Sequence, residues 1–256
     1  MILKDKVVII TGAGPGMGQA MCRGAALEGA KVAVSARSVA AIEAIVADIK
    51  AAGGEAIAVP TDVSDTAQCR NLAAQTLAAF GRIDGLVNSA YFHPDWKPLE
   101  HHSIEELTTA FDVIATGALR MTQSVLPTMR AQGKGSIVNV STLASRKSYP
   151  NEGGYAMAKS ALNQMTRHMA VELTGSGIRI NTTAMGWLMG APLQSMFTSM
   201  GEAGEAFRKQ RESEVPVGHI PPEEDCAKAI YFFLSDYSSE ITGAILDVNG
   251  GDWVAP

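Results

Sequence analysis

Val7-Val8-Ile9-Ile10-Thr11-Gly12-Ala13-Gly14-Pro15-Gly16-Met17-Gly18 is the stretch that decides the fold. Four β-branched residues end in a glycine-dense loop, and from Met17 onward the chain takes on helical period. The GxGxxG spacing does not fit, because it would need glycine at Met17 or Gln19. TGxxxGxG does fit, with Gly12, Gly16 and Gly18. In such a loop one glycine makes the tight turn, one lets backbone approach a pyrophosphate, and one lets helix pack on strand. The helix N-terminus then offers free amides and a positive dipole end to the anion. Gly12, Gly14, Gly16, Met17 and Gly18 are therefore candidate residues for a dinucleotide. The alternative is a glycine-rich turn without a ligand, and the position straight after a first strand tells against it.

Beyond the loop, short β-branched runs alternate with longer helical segments. Strands are predicted at 7–10, 31–35, 56–59, 83–87, 136–140, 178–182 and 244–248. Helices are predicted at about 17–29, 39–52, 65–80, 103–132, 154–174 and 222–235. Continuous apolar strands suit a parallel sheet covered on both faces, and the alternation is that of βαβ units. The reading is one doubly wound α/β domain over residues 1–256, with no linker or repeat dividing it. An apolar insertion at about 187–216 interrupts the alternation; long connections in compact domains tend to be functional.

Composition narrows the class. A hydrophobic fraction of 46% and a charged fraction of 18% suit a globular enzyme and not a disordered chain. Net charge is −5 without blocks of like charge, which argues against nucleic acid as a partner. Cys22, Cys69 and Cys226 are scattered, without metal-ligand spacing, and read as free thiols of a reducing compartment. The N-terminal residues lack a cleavage-site pattern, and no apolar stretch approaches the ~20 residues that span a bilayer. The expected location is the cytoplasm.

Two later features support a nucleotide site. Asp62-Val63 follows the third strand, where a carboxylate can accept from an adenine amino group, and Asn88-Ser89-Ala90 follows the fourth, beside the expected crevice. Each has a plain alternative, a helix cap and a turn residue respectively. Tyr155-Ala156-Met157-Ala158-Lys159 puts a phenol and an ammonium on one helix face at i,i+4. An unperturbed tyrosine has a pKa of about 10, and a nearby cation favours its phenolate. A solvated helix face is the other meaning of that spacing.

From Lys6 to Trp253 the chain resembles the short-chain dehydrogenase/reductase family. TGxxxGxG at 11–18, Asp62-Val63, Asn88-Ser89-Ala90, Tyr155-xxx-Lys159, Ile178-Arg179-Ile180-Asn181 with Gly186, and Asp247-Val248-Asn249-Gly250-Gly251 follow the family's order. The resemblance implies a Rossmann-type, seven-stranded parallel sheet, commonly a homotetramer, and hydride transfer between nicotinamide and a carbonyl or alcohol carbon. Tyr155 is then the acid–base group, and Lys159 lowers its pKa and holds the nicotinamide ribose. Gly186 and Leu188 join the cofactor set.

Several positions depart from the family's pattern. Thr142 stands for the catalytic serine, with Ser141 and Ser145 nearby. Ile114 replaces a frequent asparagine that anchors a relay water, so the proton route must differ. Tyr91 follows Asn88-Ser89-Ala90 where glycine is usual, Met185-Gly186 replaces Pro-Gly, and Gly190 stands where threonine often follows. At the end of strand two, where NAD-preferring relatives carry an acid, this chain has Ala36 and then Arg37, a planar fork for a 2′-phosphate. Pro15 occupies a loop position where many NADP-dependent relatives place a base. NADP(H) is the expected cofactor, with NAD(H) the alternative.

Trp187, Leu188, Met189, Leu193, Met196, Phe197 and Met200 make the insertion a lid over a hydrophobic ketone or alcohol, or else a packing surface. His93, Trp96, His101 and His102 read as surface-loop residues without a metal constellation. An active oxidoreductase is the leading reading; a cofactor-binding sensor without turnover is the alternative from another class.

Overall fold

The computed structural model describes residues 1–254. Seven strands form one sheet: β1 (Val7–Thr11), β2 (Lys31–Ser35), β3 (Ala56–Ala58), β4 (Gly85–Asn88), β5 (Gly135–Thr142), β6 (Ile178–Met185) and β7 (Ile245–Val248). Every pairing is parallel, in the order β3-β2-β1-β4-β5-β6-β7. This is the doubly wound Rossmann-type sheet expected from the alternation of elements. The helices are α1 (Met17–Leu27), α2 (Val39–Ala51), α3 (Thr66–Phe80), α4 (Ile104–Phe111), α5 (Gly117–Gln132), α6 (Gly153–Glu172), α7 (Ala191–Ser199), α8 (Glu202–Glu214) and α9 (Glu223–Leu234).

Strand periodicity distributes the core. Val8, Ile10, Val32, Val34, Val87, Val138 and Val140 pack on the face with α1, α2 and α9. Ile9, Ala33, Leu86 and Ile137 pack on the opposite face with residues of α3, α5 and α6. Each large aliphatic side chain taken out of water contributes roughly 1.5–3 kcal/mol. Both faces are therefore apolar, and the strands carry unbroken hydrophobic runs.

One polar chain crosses this core. Asn88 Nδ2 donates to Asn139 Oδ1 at 2.9 Å, Asn139 Nδ2 donates to Thr166 Oγ1 at 2.9 Å, and Thr166 Oγ1 lies 2.8 Å from that of Thr182. It ties β4, β5, α6 and β6 together beneath the crevice. The Asn88 side chain is thus directed into the core.

Two segments differ from the sequence expectation. The single helix predicted over 103–132 is interrupted by a π-helical turn, Asp112–Thr116, between α4 and α5. Ile114 in that turn packs with Ala110, Ala118, Ala158 and Leu162. Gly117 backs onto Val63, where a Cβ would come within 2.7 Å of its methyl carbon. Arg120 secures the turn by donating to the Asp112 carboxylate at 2.7 Å and to the Asp112 carbonyl at 3.3 Å. Such π-turns inside helices are frequent at functional sites. The insertion at 187–216 forms α7 and α8, where Phe197 meets Phe207 edge-on at 6.0 Å. Phe197 is buried, while Met196 and Met200 remain exposed. No helix among the described residues is long and apolar enough to cross a membrane.

Candidate active site

Strand β1 borders both β2 and β4, so sheet growth reverses there and a crevice opens beyond the C-terminal strand ends. Gly12 has φ +71°, and a Cβ on it would lie 2.5 Å from the Ala90 nitrogen, so the loop after β1 rests on the loop after β4. A Cβ on Gly18 would lie 2.4 Å from the Gly12 carbonyl oxygen, which makes helix and loop interdependent. Gly16 is the N-cap of α1, with φ 86°; no side chain caps that helix and no acid occupies its first turn. The position facing Gly14 is open. An uncapped helix start above a glycine cradle fits a pyrophosphate, although Glu223 Oε2 comes within 3.3 Å of where a Cβ on Gly16 would lie.

The adjoining cleft, about 530 Å³, is lined by Gly12, Gly14, Arg37, Asp62, Val63 and Ala90, among others. Asp62 Oδ1 accepts from the Ser64 amide at 2.9 Å and the Ser64 hydroxyl at 2.7 Å. These bonds hold its carboxyl below the usual range, with a smaller contribution from Arg37. Its Oδ2 takes no part in them. Of the other expected cofactor residues, Met17 and Leu188 are partly buried against the core, and the Asn88 side chain is in the polar chain below.

Tyr155 and Lys159 stand in the first turns of α6, and Thr142 ends β5. Lys159 is 2% exposed, and its Nζ donates to the Val140 carbonyl at 2.6 Å. Burial pushes this ammonium down to about 7. Its Nζ lies 5.6 Å from the centre of the Tyr155 ring. Burial, and then the neighbouring Tyr91 and Glu152 charges, hold the Tyr155 phenol above the usual tyrosine range. In this protein environment burial dominates both groups, whereas the family resemblance implies a lysine that lowers the tyrosine. Thr142 Oγ1 accepts from the Ala144 amide at 3.3 Å, which leaves its hydrogen to donate. Ser145 is committed: its hydroxyl donates to the Thr142 carbonyl at 2.6 Å and accepts from Asn163 at 2.9 Å. Ser141 lies 3.2 Å from Ser145. Thr142 alone of the three lines the neighbouring cavity.

That second cavity, about 360 Å³, is bounded by Trp96, Thr142, Leu143, Tyr149, Glu152, Met185, Gly186, Trp187 and Arg211. Trp187 leans edge-on against Phe207 at 5.8 Å, and the Arg211 guanidinium lies 5.0 Å from the Trp187 ring centre. Arg211 is itself paired with Asp252 at 2.9 Å. The insertion thus reaches the cavity through Trp187 at its start and Arg211 near its end. At Gly190 a Cβ would fall 1.7 Å from Glu223 Oε2, so a threonine there would require the Glu223 carboxylate to move.

Trp96 is an exposed loop residue as expected, whereas the surface-loop reading of His93 is corrected by the structure. The His93 ring stacks on Tyr155 with centroids 4.6 Å apart, and on Trp96 at 5.0 Å. Its Nε2 lies 3.1 Å from Glu152 Oε2. His102 is buried against Glu106 at 2.9 Å, and only His101 stays exposed. The available signal was the cluster Tyr91, Phe92, His93 and Trp96 directly after the strand that borders the crevice. Among the described residues no group of His, Cys, Asp and Glu could hold a metal ion.

Known proteins share the sequence and fold of this chain. The family model described as Enoyl-(Acyl carrier protein) reductase matches residues 12–252. A 2,5-dichloro-2,5-cyclohexadiene-1,4-diol dehydrogenase of Sphingobium indicum is 32% identical over 250 residues, covering 97% of this chain and 96% of that protein. Levodione reductase of Leifsonia aquatica is 32% identical over 260 residues, 98% of this chain and 95% of its own length. A crystal structure of levodione reductase superposes with a TM-score of 0.89 at 30% identity, covering 97% of this chain and 98% of the other. The chain belongs to the short-chain dehydrogenase/reductase family and is an NAD(P)-dependent oxidoreductase.

Proposed function

We propose that the enzyme interconverts aromatic or alicyclic ketones and their secondary alcohols with NADP(H) as preferred cofactor. The bound nicotinamide supplies or accepts the hydride. Tyr155 gives its hydroxyl proton to the carbonyl oxygen in reduction and takes one back in oxidation. A phenol held above its usual range keeps that proton near neutrality, which suits the donor role. Thr142 orients the same oxygen through its free hydroxyl hydrogen. Lys159 spends one of three donors on Val140, leaving two for the ribose hydroxyls.

Arg37 at the cleft rim, with Ala36 in place of an acid, supports the choice of phosphorylated cofactor. The lining of Trp96, Leu143, Tyr149, Met185 and Trp187 supports a bulky, largely apolar substrate beneath a lid formed by the insertion. One relative is named for a cyclohexadiene diol, a six-membered carbocycle with two secondary alcohols, which agrees with that preference. Because Asp252 offsets the Arg211 charge, neutral substrates are favoured over carboxylates. Assembly as a homotetramer is part of the proposal; the half-exposed Leu246 on the terminal strand β7 supports a subunit contact there.

Lys159 bonded to Val140, two residues before Thr142, and set 5.6 Å from the Tyr155 ring, with Tyr91 both against Tyr155 and on the lining of the glycine-loop cleft, carries this reading. Absorbance of NADPH and NADH over a panel of ketones and secondary alcohols tests it. Alicyclic and aromatic members should turn over fastest with NADPH. Faster turnover of short, charged or sugar-like compounds would overturn the substrate class.

A further inference from the structure

His93 has hydrogen-bond acceptors at both ring nitrogens. Nδ1 lies 2.6 Å from the Pro94 carbonyl oxygen and Nε2 lies 3.1 Å from the Glu152 carboxylate. A carbonyl can only accept, so Nδ1 must carry a proton. Nε2 then either donates to an ionised Glu152 or accepts from a protonated one. An imidazole with an ordinary pKa of about 6.5 outcompetes a carboxylate at about 4.3 for that proton. Imidazolium over carboxylate is therefore the arrangement that satisfies both bonds.

This ring stacks on two others. It stacks on Tyr155 at 4.6 Å with 30° between planes, and on Trp96 at 5.0 Å with 9° between planes. The groups facing it are Glu152 at the N-cap of α6, Tyr155 of α6 and Trp96 of its own loop; Tyr91 meets Tyr155 edge-on at 6.4 Å. Other charges nearby close on one another, with Lys97 between Asp95 and Glu106, and His102 on Glu106. Lys159 also lies against the Tyr155 ring, tied to Val140.

We propose that His93 is a positioning residue for Tyr155: its imidazolium, clamped by Glu152 and the Pro94 carbonyl, fixes the tyrosine ring and stabilises its phenolate. This rests on the reading of Tyr155 as the acid–base group. A stacked cation acts on the charged form of the ring and lowers the pH at which Tyr155 can accept a proton from an alcohol. The Glu152 bond keeps His93 protonated to higher pH than an ordinary histidine. The interaction therefore persists through neutrality and fades as pH rises above the His93 transition. Glu152 itself acts against the phenolate, so the clamp offsets its own anion with the cation placed nearer the ring.

His93→Phe retains a stacked ring and removes the charge, which separates packing from electrostatics. The pH profile of alcohol oxidation, kcat against pH, should have its rising limb moved upward by about one unit in His93→Phe, with KM for the alcohol little changed. At pH 7 oxidation should fall by roughly tenfold, and an unmoved limb would overturn the proposal. NMR titration of the wild-type imidazoles, with His93 assigned by its absence in His93→Phe or His93→Gln, gives a readout independent of turnover. His93 should remain protonated beyond the ordinary histidine range, and Glu152→Gln should bring its transition down. Titration at or below the ordinary value would overturn the proposal even if His93→Phe does not fold. A Tyr155→Phe control in the same assay keeps the two readings apart. Normal turnover by that variant would refute Tyr155 as the acid–base group, whereas an unmoved limb beside an inactive control would refute only the role of His93.

Discussion

Lys159 Nζ donates to the carbonyl of Val140 at 2.6 Å, two residues before Thr142 on the same strand. The bond anchors a base whose burial holds it at about 7. The unfolded chain, with an ordinary lysine near ~10.4, binds more protons between those values than the folded chain does. Stability therefore rises with pH across that window, and the full penalty applies below about 7. Lys159→Met should be more stable than the wild type by about 1–3 kcal/mol at pH 7, with the gain shrinking toward pH 10. Urea unfolding of both proteins at the two pH values measures this, and the variant should lose turnover. Equal stability at pH 7 would argue against a costly buried amine.

Tyr155→Phe should retain cofactor affinity and lose roughly 10²–10⁴-fold in kcat, because the hydroxyl acts on the transition state. Thr142→Ala should cost less, since the residue donates an orienting bond and no proton is transferred from it. Thr142→Ser should stay close to the wild type. Steady-state kinetics with cofactor titration by fluorescence separates the two effects. A folded, NADPH-binding Tyr155→Phe with normal turnover refutes the assignment.

Arg37→Ala should raise KM for NADPH by about 10–100-fold and leave NADH almost untouched, as expected for loss of a charge-assisted phosphate contact. The ratio of kcat/KM for the two cofactors is the measurement. An unchanged ratio would remove Arg37 from cofactor selection.

Ile114→Asn places an amide among Ala110, Ala118, Ala158 and Leu162, where the isoleucine is 1% exposed. It should destabilise the fold by about 1–3 kcal/mol. Turnover should not rise, because the apolar neighbours Ala110, Ala118, Ala158 and Leu162 give the new amide no hydrogen-bond partner to orient it. A higher kcat with a smaller solvent isotope effect would instead show that proton resupply limits the wild type.

Legibility in the sequence followed the range of the forces involved. Strands were readable because Val8 and Ile10 on one face and Ile9 on the other give a run that is apolar throughout. Their order followed from chain connectivity and handedness, which are general properties of βαβ units. The π-turn at Asp112–Thr116 was not readable, since Ile114 and Gly117 satisfy helical period and the break depends on packing against Val63 and α6. The insertion was recognised by its apolar content, yet its two helices depend on Phe197 meeting Phe207 and on Gly204 letting the backbones approach. His93 was passed over for the same reason: its partner Glu152 is 59 residues distant, and no local pattern signals a pairing of that separation.

The rest of Gly12 on the loop after β4 has a consequence for biogenesis. Ser89 donates its amide to the Thr11 hydroxyl at 3.2 Å across 78 residues of chain, with β2 and β3 formed in between. The phosphate cradle thus exists only once the two central strands have joined, and contacts of such separation close slowly. Ligand therefore favours only the finished sheet, adding about 2.7 kcal/mol when free cofactor stands at a hundred times its dissociation constant. In a cell, the nicotinamide pool would act as a folding partner as well as a reagent, and its depletion would shorten the lifetime of the protein.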